Sequence, residues 1–99
     1  MKLSELREGQ GKINTDEVEC ISLGETRDVT IKQSGSEAQV REVQIKDDEG
    51  TEFPLTLWNE MIEQVDVGTR LKIENGYTNS FRNVVRLNIA RDGKLIILD

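Results

Sequence analysis

Residues 52–68 read Glu52-Phe53-Pro54-Leu55-Thr56-Leu57-Trp58-Asn59-Glu60-Met61-Ile62-Glu63-Gln64-Val65-Asp66-Val67-Gly68, a strand followed at once by a short helix. Over 52–58, Phe53, Leu55 and Leu57 alternate with Glu52, Pro54, Thr56 and Trp58. Successive strand side chains point to opposite faces, so the leucine side is the core and Trp58 lies on the outer face or its margin. Pro54 lacks a backbone donor and belongs where no ladder bond is needed. The alternation then stops. Asn59 is placed to cap a helix over 60–65 whose apolar contacts are Met61, Ile62 and Val65, and Gly68 ends the connection.

Upstream, Asp47-Asp48-Glu49-Gly50 is a turn signal, and 38–46 is a strand with Val43 and Ile45 facing inward. Residues 32–37 form a polar Ser/Gly hairpin loop. Before it, 13–31 fits one long strand, bent or bulged near Asp16 and Glu17, where strict alternation breaks. The opening residues form a helical turn capped by Ser4 and closed by Gly9, with Leu3 and Leu6 packing on one side. Downstream, Leu71 and Ile73 alternate in a fourth strand that reaches a turn or bulge at Asn75-Gly76. Val85, Leu87 and Ile89 alternate in a fifth, which leaves Arg86, Asn88 and Ala90 on its opposite face. Residues 95–98 extend a last strand or cover the end of a barrel. The order strand–strand–strand–short helix–strand–strand is that of the OB-fold, an all-β five-stranded Greek-key barrel with its helix between strands three and four.

Bulk composition narrows the chemistry. Ninety-nine residues make a single OB-fold domain over 1–99. The chain has no histidine, which removes Ser-His, Cys-His and His-based acid–base catalysis and argues against a zinc site. Cys20 is alone, so no internal disulfide forms, and it reads as buried and inert. Gly9 and Gly11 fit neither phosphate-loop nor dinucleotide spacing. The acidic clusters Asp16, Glu17, Glu19 and Asp47, Asp48, Glu49 read as solvated strand ends and turns rather than magnesium or acid–base sites. An enzyme is not expected, nor any cofactor or metal. No apolar run approaches a membrane span and nothing resembles a signal peptide, so a cytoplasmic location is the default.

The chain is acidic, with 13 Lys+Arg against 19 Asp+Glu and a net charge of −6. Residues 75–91 break that pattern: they carry Tyr77, Phe81, Arg82, Arg86 and Arg91 and no acid. Flat aromatic faces beside arginines suit single-stranded nucleic acid, whose bases stack and whose phosphates pair with guanidinium groups. The candidate contacts are Trp58, Tyr77 and Phe81 as platforms, with Arg82, Arg86, Asn88 and, near the first hairpin, Arg27 and Lys32 as polar partners. Tyr77 reads as a turn residue after Gly76, and Phe81 as part of the loop that begins Thr78-Asn79-Ser80.

These residues also resemble a family. Leu55-Thr56-Leu57-Trp58, then Ile73-Glu74-Asn75-Gly76-Tyr77, then Phe81 and Val85-Arg86-Leu87-Asn88 resemble the archaeal single-stranded-DNA-binding OB domains. That group includes the archaeal replication protein A subunits and the short single-domain archaeal proteins. The resemblance spans nearly the whole chain and is weakest over 10–40. It implies base stacking at Trp58, Tyr77 and Phe81, and a role in DNA replication, recombination or repair. Single-stranded DNA or RNA is the implied partner, with other OB domains or replication and repair proteins beside it. The turn Asp47-Asp48-Glu49-Gly50-Thr51 departs from the family's usual Gly-Asp-Glu-Thr-Gly by adding acid.

Two other function classes stay open. The first half, with 7 bases and 12 acids, suits a protein-interaction module that docks a basic partner. An OB domain that binds structured RNA is the other. Neither would prefer an oligo-dT strand.

Overall fold

The alternating apolar segments close into one barrel in the computed structural model, which describes residues 2–98 and leaves the side chain of Phe81 outside its description. In chain order the elements are a 3-10 turn (Leu3–Glu5), β1 (Val18–Ile31), β2 (Ser36–Lys46), β3 (Glu52–Trp58), α1 (Met61–Gln64), β4 (Arg70–Phe81) and β5 (Val84–Ile97). Around the barrel the strands run β1-β2-β3-β5-β4. The circle closes where Val18 pairs with Leu71 and Glu19 with Arg70. The described pairings are antiparallel except β3 with β5, which run parallel at Leu55 and Leu87. This is the five-stranded OB barrel with a short helix between β3 and β4 that the sequence predicts.

The inward residues are those the alternation selects: Val43, Ile45, Leu55, Leu57, Leu71, Ile73 and Leu87 are essentially inaccessible. Each such side chain contributes on the order of 1.5–3 kcal/mol through removal from water. Leu3 and Leu6 of the opening turn join the same cluster, as does Val65 after the helix. Cys20 is buried with them, and desolvation raises the pKa of its thiol, which keeps it protonated. Among the described residues no helix is long and apolar enough to cross a membrane.

Several local expectations are corrected. The long first strand does not begin at 13: Ile13 bridges Gly76 and Thr15 donates to the Ile73 carbonyl (2.9 Å), so this segment lies against β4 instead. The irregularities of β1 fall between Cys20 and Ser22 and between Leu23 and Thr26. Gly24 is needed there, because a Cβ would come within 2.5 Å of the Glu42 carbonyl oxygen. Of the two readings open at Asn75-Gly76, the bulge is the one found: Asn75 takes a positive φ of 55°, and β4 continues through Phe81, so Tyr77 is not a turn residue and 78–80 are not a loop. The turn lies instead at Arg82 and Asn83, with φ of 54° and 66°, the double left-handed geometry of a two-residue hairpin.

Asn59 does not cap α1. Its Oδ1 accepts from the Gln39 backbone N–H (2.9 Å), and its own N–H donates to the Gln39 carbonyl (2.9 Å), which pins the end of β3 to β2. Nor does Ser4 cap the opening turn, whose N-terminal residue is Lys2 with its N–H donating to Glu5 Oε1 (2.9 Å).

Candidate nucleic-acid interface

Hairpin geometry decides what shares a face with Trp58. The turn between β2 and β3 pairs Lys46 with Glu52, and counting outward gives Glu42 opposite Thr56 and Val40 opposite Trp58. These four lie on the outer face, since Val43, Ile45, Leu55 and Leu57 fill the inner one. The Arg82-Asn83 turn likewise pairs Asn79 with Arg86 and Tyr77 with Asn88. The parallel contact at Leu55 and Leu87 sets the two hairpins side by side, so their outer faces form one surface.

On that surface lies a cleft of about 420 Å³ lined by Trp58, Arg27, Arg82, Arg86, Asn88, Val40, Glu42, Thr56, Asn79 and Ser80. Five of the residues expected from the sequence therefore meet in one place: Trp58, Arg27, Arg82, Arg86 and Asn88. Trp58 is half-buried and pairs with Val40 at the end of β3. Tyr77 stands on the same sheet face beside Asn88 and is 37% exposed, but it does not line the cleft. It is a mid-strand residue, not a turn residue, because the chain bulges at Asn75 and then continues as strand. Lys32 sits in the β1–β2 turn, away from the cleft lining. The stacking role expected of Phe81 falls on a side chain outside the described residues; its backbone pairs with Val84.

The sequence reading missed the acid in the cleft. Glu42, from β2, reaches across β3 to an ion pair in which Arg86 Nε donates to Glu42 Oε1. Their side chains are 37% and 24% exposed respectively. Next to them Asn88, only 5% exposed, donates from Nδ2 to Asn79 Oδ1 (3.0 Å). The cleft lining thus carries a neutral ion pair, a pair of amides and Thr56, and Arg27 and Arg82 add positive charge to it. The alternation around Val43 already puts Glu42 outward, but its contact with Arg86 depends on the non-local β3–β5 pairing.

Polar residues 78–80, which read as a loop, are strand residues with assigned partners. Thr78 is buried; its Oγ1 donates to the Arg7 carbonyl and accepts from the Gln10 N–H (2.9 Å). Ser80 Oγ donates to Glu8 Oε1 (2.6 Å). The N-terminal segment is therefore laid along β4 beside the cleft.

Elsewhere Asp47, Asp48 and Glu49 gather carboxylate oxygens within 4.8 Å of one another. Fold chemistry accounts for them. Asp47 accepts from the backbone N–H groups of Glu49 (3.0 Å), Thr51 (3.0 Å) and Leu3 (3.2 Å), and Asp48 accepts from Lys2 Nζ (2.6 Å).

Residues 12–97 match a family model described as single-stranded DNA binding protein Ssb-like, OB fold. No curated protein sequence matches the chain. Among solved structures, the chain is similar to the replication factor A related protein from Methanobacterium thermoautotrophicum, with a TM-score of 0.76 at 20% identity. That alignment covers 100% of this chain and 90% of the other. It is also similar to the OB domain of a Thermoplasma acidophilum protein, with a TM-score of 0.71 at 10% identity, covering 100% of this chain and 86% of that one. At these identities the two structures bear on the fold alone.

Proposed function

The chain belongs to the Ssb-like family of OB-fold single-stranded DNA binding proteins, and from that premise we propose that it binds single-stranded DNA and catalyses nothing upon it. One observation carries the reading: the chain's single tryptophan opens onto a cleft that also gathers Arg27, Arg82 and Arg86, in a protein whose net charge is −6. A flat platform beside guanidinium groups suits unpaired bases joined by phosphates, and a base stacked on an aromatic contributes about 1–3 kcal/mol. Tyr77, on the same face beside Asn88, is a second platform, and the role of Phe81 follows from the family resemblance. The proposal takes residues 1–99 as one binding domain that acts in DNA replication, recombination or repair in the cytoplasm, with other OB domains or repair proteins as partners.

Duplex DNA is a poor fit. Pairing hides the base faces, and among the described residues no helix is long enough to read a major groove, α1 being four residues. The test is a fluorescence titration of Trp58 with oligo-dT and with a duplex of equal length. Quenching by the single strand at low salt, with much weaker quenching by the duplex, is the expected result. Unchanged emission and no binding by an independent method with oligo-dT would overturn the proposal. Tighter binding to a folded RNA than to either probe would move the protein to the structured-RNA class.

A further inference from the structure

We infer that the N-terminal turn, residues 7–10, braces the β4–β5 hairpin as one wall of the cleft, with Thr78 as the positioning residue through which it acts. The inference rests on the single-stranded DNA reading above. Strand parity is the first argument. Tyr77 pairs with Asn88 and Asn79 with Arg86, all on the outer face. Thr78 lies between them and pairs with Leu87, so its side chain points the other way, toward the core side of the sheet. There it is buried against the turn.

Hydrogen bonding fixes that contact. Thr78 Oγ1 donates to the Arg7 carbonyl and accepts from the Gln10 N–H (2.9 Å), and the Thr78 N–H donates to the Gln10 carbonyl (2.9 Å). Two residues further along β4, Ser80 Oγ donates to Glu8 Oε1 (2.6 Å). The turn is itself closed, with the Arg7 N–H donating to Gln10 Oε1 (2.6 Å) and Gly9 at a φ of 77°. A buried hydroxyl that both donates and accepts holds one geometry, because movement would leave a buried polar group unsatisfied.

The second argument is what else holds the hairpin. Among the described pairings β1 meets β4 at Val18–Leu71 and Glu19–Arg70, well before the residues that face the cleft. Along 73–78 the same edge of β4 is taken by residues 10–15, through Thr15 to Ile73, Ile13 to Gly76 and Gln10 to Thr78. On the other side, the described pairing of β5 with β3 is the one at Leu55 and Leu87. A two-stranded hairpin is marginally stable by itself. This one carries Tyr77, Asn79, Arg82, Arg86 and Asn88, whereas Trp58 stands on β3. The turn therefore sets where one wall of the cleft stands relative to the tryptophan. A wall ordered before binding does not have to be ordered by the DNA.

The experiment measures oligo-dT affinity by anisotropy for the wild-type chain, Thr78→Val and Thr78→Ser, with thermal melts alongside. Valine keeps the branched shape without the hydroxyl, and serine keeps the hydroxyl. Thr78→Val is expected to bind about fivefold or more weakly, and Thr78→Ser to stay within about twofold of wild type. Arg82→Asn and Trp58→Ala are then each added to the wild-type and valine backgrounds. Arg82 is on the braced hairpin and Trp58 is not, so the two separate positioning from stability. Arg82→Asn should weaken the wild type severalfold and the valine variant by less than about half that factor, while Trp58→Ala carries the same factor in both. If Thr78→Val does not fold, Gly9→Ala takes its place: it strains the turn at its positive φ, where an added Cβ meets nothing within 4 Å. An Arg82→Asn factor equal in both backgrounds overturns the inference and leaves single-stranded binding standing. So does a Thr78→Val variant that melts earlier but keeps wild-type affinity. No binding of oligo-dT by the wild-type chain overturns the underlying reading as well.

Discussion

The barrel carries two ion-pair sites of opposite design. In the cleft a single carboxylate, Glu42, stands among Arg27, Arg82 and Arg86. At the turn between β2 and β3 the Lys2 ammonium stands among Asp48 (2.6 Å), Asp16 (3.9 Å) and Glu49 (3.9 Å). The first site is half-buried on the open sheet face; in the second, Asp48 is largely exposed. Their backbone connections differ as well. Asp47, beside Lys2, is buried and satisfies three backbone N–H groups, so the acidic site ties the N-terminus to a hairpin. In the cleft, Trp58 and the guanidinium groups meet at an accessible surface. The two sites are thus opposite in sign: acid gathers at the turn that fastens the N-terminus, and arginine in the cleft.

The division is sharpest if the two sites fail separately. Asp47→Ala removes three acceptor contacts at once and is expected to cost about 2–4 kcal/mol of stability. Urea unfolding would measure it, and affinity for oligo-dT in the folded variant should stay within twofold. Trp58→Ala is expected to do the reverse, weakening oligo-dT binding by about 1–3 kcal/mol with a smaller change in the unfolding midpoint. If Trp58→Ala instead unfolds the protein at unchanged affinity, the tryptophan is a packing residue and the cleft loses its platform.

Arginine roles within the cleft give a smaller effect. On a single strand, log K falls with log salt by about 0.7 for each phosphate neutralised. Arg82→Asn, chosen because asparagine tolerates the positive φ of 54° at that position, should flatten the slope by about 0.7. Arg86→Ala should flatten it less, since Glu42 already holds that guanidinium. Equal flattening by the two variants would place Arg86 among the phosphate contacts.

The strands and their inner faces were legible because burial enforces alternation, and the turn at 47–50 with its flanking residues implies the Glu42–Thr56 and Val40–Trp58 pairs. What sequence alone could not supply was adjacency between distant segments. Arg86 meets Glu42 only because β5 lies parallel to β3, a contact that no local pattern encodes. The polar run 78–80 misled for a related reason. Its residues are polar because they bond to the N-terminal segment and face the cleft, not because the chain turns there. Asn59 followed the same logic: a helix-capping residue type was used to fasten β2 to β3. The candidate site was readable where one strand's parity sufficed, as at Trp58 and Arg86. It was misread at Tyr77, taken as a turn residue although β4 runs on past the bulge at Asn75.

The smallest expected effect tests the acidic site through pH. The hydrogen bond from Lys2 and its charge lower the Asp48 pKa, and the same bond raises that of Lys2. A depressed carboxylate pKa contributes stability above its ordinary value near 3.9, and that contribution is lost as pH falls through the lower, folded value. A raised lysine pKa contributes below about 10.4 and is lost as pH rises through the higher, folded value. Both contributions are therefore present together across the neutral range. Asp48→Asn should show a small drop in melting temperature at pH 7 that shrinks toward zero as the pH falls below the folded pKa of Asp48. Because the pair is exposed, raising the salt concentration should shrink the drop as well. A deficit that persists unchanged in strong acid would mean that Asp48 acts through the turn's backbone rather than its charge. The two sites would then differ in burial alone, not in how they use their ion pairs.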